Sequence, residues 1–185
     1  MTDTFMENYH ANVRRRRALK LPGYVTLAEA GFDGEWVTPY QISSCSPTGP
    51  VLVAYNWFDA PSAIANEAVL KRLGYMPGIP FNAVLDRALS LVKLSRSDLY
   101  LTQAFHLLPA TRSQRIARRD IDASFDAVTR HELEERRVLA LGDDAAAACQ
   151  RHGIKAQEVC HPSARGPGRT YENKAREIAA VLARS

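Results

Sequence analysis

Three short, largely apolar runs constrain this chain more than any other feature. They are Val51-Leu52-Val53-Ala54-Tyr55, Leu99-Tyr100-Leu101-Thr102-Gln103-Ala104-Phe105 and Val138-Leu139-Ala140-Leu141. Each is bounded by turn or polar signals: Gly49-Pro50 and Asn56, Ser95 to Asp98 and Pro109, Arg137 and Gly142. A strand that is apolar at successive positions must be covered on both faces. Helix-period segments lie between the runs. Ala63 to Leu73 ends at Gly74, a C-terminal cap, and Phe81 to Val92 carries Val84, Leu85, Ala88, Leu89 and Val92 on one side. Asp120 to Leu133 has a stripe of Ile121, Phe125, Val128 and Leu133, and Asp143 is placed to cap a helix running to His152. A last short strand, Ala156 to Cys160, precedes a last helix from Thr170 to Arg184, where Thr170 and Asn173 make a weakened capping box. Strands alternating with helices predict an α/β fold: three layers, α/β/α, around a central, mainly parallel four-stranded sheet.

The 185 residues are 46% apolar and 24% charged, ordinary globular values that exclude disorder for most of the chain. We expect one domain, 1–185, with a core over 51–185 and an N-terminal extension over 1–50. That extension reads as a basic helix from Met1 to Lys20, ending before Leu21-Pro22-Gly23, then irregular chain from Gly31 to Pro50 with one short strand. No apolar run reaches the ~18 residues of a membrane span, and the N-terminus lacks the apolar stretch of a secretory signal. Cys45, Cys149 and Cys160 form neither a CxxC pair nor an even-numbered disulfide framework, which points to a reducing, cytoplasmic setting. The net charge is +4, gathered into three clusters: Arg14 to Lys20, Arg112 to Arg119, and Arg165, Arg169, Lys174 and Arg176. Any one cluster reads equally well as solvated surface, but three together suit a polyanionic partner.

Ligands of such sheets sit at the carboxyl ends of the strands. Here those ends deliver Asn56-Trp57-Phe58-Asp59, Gln103 to His106, Gly142-Asp143 and His161-Pro162-Ser163. Neither a Walker lysine loop nor a GxGxxG follows the first strand, and no GxSxG elbow is present. His106, His161 and Asp59 lack close metal-ligand spacing, so neither a metal nor another cofactor is expected. What remains is a set of amides, imidazoles and flat rings suited to gripping a planar heterocycle.

Four segments, in order, resemble the uracil-DNA glycosylase superfamily. Ala54-Tyr55-Asn56-Trp57-Phe58 stands at the place of the motif G-x-(D/N)-P-(Y/G). Gly78-Ile79-Pro80-Phe81-Asn82 is similar to the G-x-P-F-x element of the single-strand-selective and iron–sulfur branches. Leu99 to Gln103 is similar to their strand ending in Asn, and His161-Pro162-Ser163 is the HPS motif. The resemblance runs from Val51 to the C-terminus. The departures are Trp57 for Pro, Ala54 for Gly, Gln103 for Asn, and Leu107 where the iron–sulfur branch places a cysteine. With three cysteines for four ligands, a cluster is not expected.

The resemblance implies a monomeric repair enzyme that flips uracil from single- or double-stranded DNA and hydrolyses its glycosidic bond. It assigns His161 as a neutral donor to the ring oxygen O2, and Asn56 as the group that orients the attacking water. Phe81 would stack on the base, Gln103 read its amide edge, and Phe58 block a 5-methyl group. Tyr55 and Trp57 complete the base pocket. Ser163, Arg165, Arg169 and Arg112 contact DNA, with Arg165 filling the vacated helix. Asp59 rivals Asn56 as the water-handling group, and His106 is left to the surface or a supporting position. A binding protein without turnover, or a glycosylase for hypoxanthine or xanthine, are the alternatives. In a bacterium the location would be cytoplasm and nucleoid.

Overall fold

A computed structural model describes residues 3–133 and 135–184, so Met1 and Thr2 of the expected first helix lie outside the described residues. In chain order the elements are α1 (Asp3–Ala18), β1 (Tyr24–Val25), a 3-10 turn (Pro39–Ile42), β2 (Val51–Asn56), α2 (Ala60–Ala65), α3 (Glu67–Leu73) and α4 (Pro80–Leu91). There follow β3 (Tyr100–Phe105), β4 (Leu108–Pro109), α5 (Arg118–Ser124), a π turn (Phe125–Thr129), α6 (Arg130–Leu133), β5 (Val138–Leu141), α7 (Asp143–Arg151), β6 (Ala156–Val159) and α8 (Tyr171–Leu182).

The three apolar runs and the short run after Gly153 are the four strands of one parallel sheet, in the order β3-β2-β5-β6. In register, Val51 faces Tyr100 and Val138, Leu52 faces Leu101 and Leu139, and Ala54 faces Gln103. One face carries Leu52, Ala54, Leu101, Leu139 and Leu141 against α4 and α8. The other carries Val51, Val53, Tyr100, Val138 and Ala140 against Ile121, Phe125, Val128, Ala145 and Ala148, and against Tyr9 and Val13 of α1. The fold is therefore a three-layer α/β/α sandwich. Burying each wholly covered leucine contributes ~1.5–3 kcal/mol.

Several boundaries differ from the sequence expectation, each for a local reason. The helix expected from Ala63 to Leu73 starts earlier, at Ala60, because the Asp59 carboxylate caps α2 by accepting from the Ser62 N–H, 3.0 Å. It divides at Asn66, whose φ of −116° and ψ of 20° leave the helical region while its side-chain amide donates to the Ser62 carbonyl, 2.8 Å. The segment from Asp120 to Leu133 contains the π turn. Asp143 opens α7 rather than capping it. The flanking residue is Gly142, with φ of +95° and no side chain to offer. The irregular stretch before β2 supplies a 3-10 turn and an isolated bridge from Cys45 to Tyr100 instead of a strand. A small antiparallel pair, β1 with β4, was not foreseen.

After β2 the chain moves outward to β3, whereas β5 proceeds to β6 on the other side. The crevice between the carboxyl ends of β2 and β5 is thus the topological switch point, where open α/β sheets place ligands.

Candidate functional site

Asn56 closes β2, Gly142 follows β5, and His161 follows β6 one strand further on. A Cβ built on Gly142 would lie 2.7 Å from that of His161, and its positive φ already disfavours any other residue, so only glycine lets the two loops meet. The Ser163 backbone N–H donates to His161 Nδ1, 3.0 Å away. A ring that accepts at Nδ1 carries its single proton on Nε2 when neutral. Burial and then the Lys174 charge push His161 below the ordinary histidine pKa, against the opposing pull of Asp144 and Asp143. At neutral pH the imidazole is uncharged, with Nε2–H as its donor.

Helix α8 holds this loop in place. Lys174, 2% exposed, donates through Nζ to the carbonyls of Pro162 (2.6 Å) and Ala164 (3.0 Å). Glu177 accepts from the Cys160 N–H at 2.7 Å. Thr170 caps α8 by accepting from the Asn173 N–H, the half of the capping box expected from the sequence. In sequence, Lys174 belongs to a basic cluster suited to phosphate. It is instead a buried clamp on the HPS loop, and no sequence signal marks which carbonyls a lysine will meet.

Phe81 sits at the start of α4, where Pro80 takes the first helical position. Its ring stacks on Tyr40 (6.0 Å, 22°) and tilts against His161 (5.7 Å, 55°). Gln103 shares the sheet face of Ala54 and is wholly buried. Its Oε1 accepts from the Thr38 hydroxyl, 3.3 Å, while its amide nitrogen has no partner among the described residues. Buried donors are nearly always satisfied, which singles out this amide N–H as a free donor.

Behind β3 lies a fully buried polar network. Glu132 accepts from Gln41 Nε2 (2.9 Å), the Tyr100 hydroxyl (2.7 Å) and the Thr102 hydroxyl (2.5 Å). Burial outweighs these bonds and pushes the Glu132 carboxyl up to about 7. The Thr129 hydroxyl, carried by the π turn, donates to the Gln103 carbonyl (2.8 Å) and lies 3.1 Å from His106 Nε2. His106 is wholly buried and held neutral by burial, its pKa lowered to about 3, so it is a supporting residue and not a surface one.

The structure brings Phe81 and His161 into contact and places Gln103 on the same face. Strand alternation assigns Asn56 to that face too, at the half-buried end of β2. Phe58 is half-buried and meets Trp57 edge-on at 5.1 Å.

Other expectations need correcting. Tyr55 projects to the opposite face, among the second core cluster, because neighbouring strand residues alternate. Trp57 is a core residue: its indole N–H donates to the Gly74 carbonyl, 3.0 Å, and its ring packs edge-on against Phe32. Asp59 is committed to capping α2.

Two members of the N-terminal basic cluster are neutralised within the fold. Arg16 is buried and donates to Asp33 and to the carbonyls of Gly34 and Trp36, and Arg17 pairs with Asp33 and Glu35. Arg112 and Arg165 are exposed, and Arg169 stands 4.0 Å from Glu177. Thr38, Tyr40, Lys174 and Glu177 were missed as parts of the site.

A comparison of the chain with protein-family models finds no match, and neither does a comparison with curated proteins. No helix among the described residues is long and apolar enough to cross a membrane.

Proposed function

We propose that this chain is a DNA glycosylase that flips uracil out of DNA and hydrolyses its N-glycosidic bond, leaving an abasic site. The observation that carries this reading is the contact between Phe81 and a His161 ring whose proton is steered to Nε2. A flat base stacked on Phe81 turns an edge toward that imidazole. The C1′–N1 bond breaks with its electron pair leaving on the base, and the charge spreads onto O2. An N–H already aimed there stabilises it without reorganisation, an effect of ~3–4 kcal/mol for one well-placed donor. Gln103 supports the same reading, since its unpaired amide N–H fits O4 of the ring. Asn56 orients the attacking water through its carbonyl oxygen. An amide cannot take the water's proton at neutral pH, so the proton passes to solvent and the departing uracil anion is protonated in turn, and turnover is slow.

The partner in this reading is DNA, single- or double-stranded, and the enzyme works as a cytoplasmic monomer. Single-turnover cleavage of uracil-containing oligonucleotides, followed by alkali, tests it, with His161→Ala as the control. Cleavage is expected from the parent chain and not from the variant.

The capped Asp59 favours one second reading. With no carboxylate free at the end of β2, the fold suits a protein that holds uracil or abasic DNA without cutting it. Tight binding with no cleavage after long incubation would select that reading.

A further inference from the structure

Tyr55 and Asn56 are neighbours on β2 and leave the sheet on opposite faces at its carboxyl edge. Asn56 belongs to the Phe81 face. Tyr55 opens instead onto a separate cleft of about 300 Å³, within the size range of small-molecule sites. Ile116 and Ile121, both nearly buried, give the cleft an apolar floor, and Arg115, Arg118 and Arg151 stand in its walls. Asp144 also lines it. Asp122 pairs with Arg151 at 2.6 Å and lies 3.9 Å from Arg118. The guanidinium groups outnumber these carboxylates, and Arg115 has no carboxylate partner among the described residues.

An aromatic ring over an apolar floor with arginines beside it matches the chemistry of an unpaired nucleotide: the base stacks and the phosphate meets a guanidinium. We infer that this cleft binds one unpaired nucleotide of a single-stranded DNA segment, its base against Tyr55 and Ile116 and its phosphate against Arg115 and Arg118. The inference rests on the base-excising reading of the opposite face and names the strand on which that face works. The two sites lie back to back around the end of β2, so one strand crossing that edge offers a nucleotide to each.

The test uses a fluorescent oligothymidylate without uracil, read by anisotropy over a series of salt concentrations. The full chain is compared with Tyr55→Leu and with Arg115→Glu. Tyr55→Leu is expected to weaken binding about tenfold or more, the loss of one base stack. Arg115→Glu is expected to weaken it and to flatten the plot of log affinity against log salt by about one unit. Arg115 is exposed, so its variant folds whatever becomes of the half-buried tyrosine. Failure of the oligomer to bind the parent chain, or either variant binding like the parent, overturns the inference. Uracil excision, measured separately, tells the two failures apart. Absent excision with weakened variants removes the excision reading and leaves the cleft, whereas normal excision with unaltered binding removes the cleft alone.

Discussion

Lys174 carries its charge into the interior with two carbonyl oxygens and the Tyr171 ring as its nearest company. It therefore does two things to His161: it fixes the loop, and it disfavours a second positive charge on the ring. The sign follows. The proposed chemistry needs the neutral imidazole, so the rate is expected to fall as pH drops through the His161 pKa, which lies below the ordinary histidine value. Lys174→Met is expected to raise that pKa and move the acid limb of the rate profile to higher pH. Lys174→Arg, which keeps the charge, should leave the limb nearer its original place.

His161→Ala and Asn56→Ala should each lower turnover by roughly two orders of magnitude or more, with DNA affinity little changed. Asn56→Asp is expected to raise the rate or give it a new pH dependence, since a carboxylate can accept the water proton.

Glu132 makes the complementary statement about stability. Its folded pKa of about 7 lies above its unfolded value, so the folded chain holds the extra proton. The stability this confers is complete at low pH and is lost as pH rises through about 7. Urea midpoints measured on either side of that pH should differ for the parent chain and converge for Glu132→Gln.

At the scale of elements, the site depends on two loops that touch through a glycine. Gly142→Ala places a methyl group into the His161 Cβ at a positive φ, a combined strain of roughly 1–3 kcal/mol. A thermal melt should show a lower midpoint, and the excision rate should fall further than the stability loss explains, because His161 is the group displaced. Three of the four sheet strands were legible because a segment buried on both faces has to be largely apolar, whereas β6, with Gln157 and Glu158 exposed, was marked only by its place between Gly153 and His161. The π turn was not. It shifts the helical phase locally while keeping Phe125 and Val128 buried, so the apolar stripe looks continuous. The face assignment of Tyr55 could have been read: Val51, Val53 and Tyr55 alternate with Leu52, Ala54 and Asn56, and only one set can share the Phe81 side.

Across the whole molecule, the stretch before β2 is a wall of the site. Thr38 bonds to Gln103 across 65 positions, Tyr40 stacks on Phe81, and Gln41 reaches Glu132 across 91. No local periodicity reports contacts of that range, which is why this stretch read as a loose extension. Removing residues 1–44 is expected to abolish cooperative unfolding as well as excision. A truncated chain that melted as sharply as the parent would show the wall to be dispensable.

The clamp by Lys174 and Glu177 has a consequence for the order of synthesis. The His161 loop gets its shape from α8, which lies C-terminal to all four strands of the sheet, so the ring donor is set only after that sheet has been made. A chain cut short before α8 keeps all four sheet strands yet loses the lysine and glutamate that hold the His161 loop, and on the proposed reading it is chemically silent toward DNA.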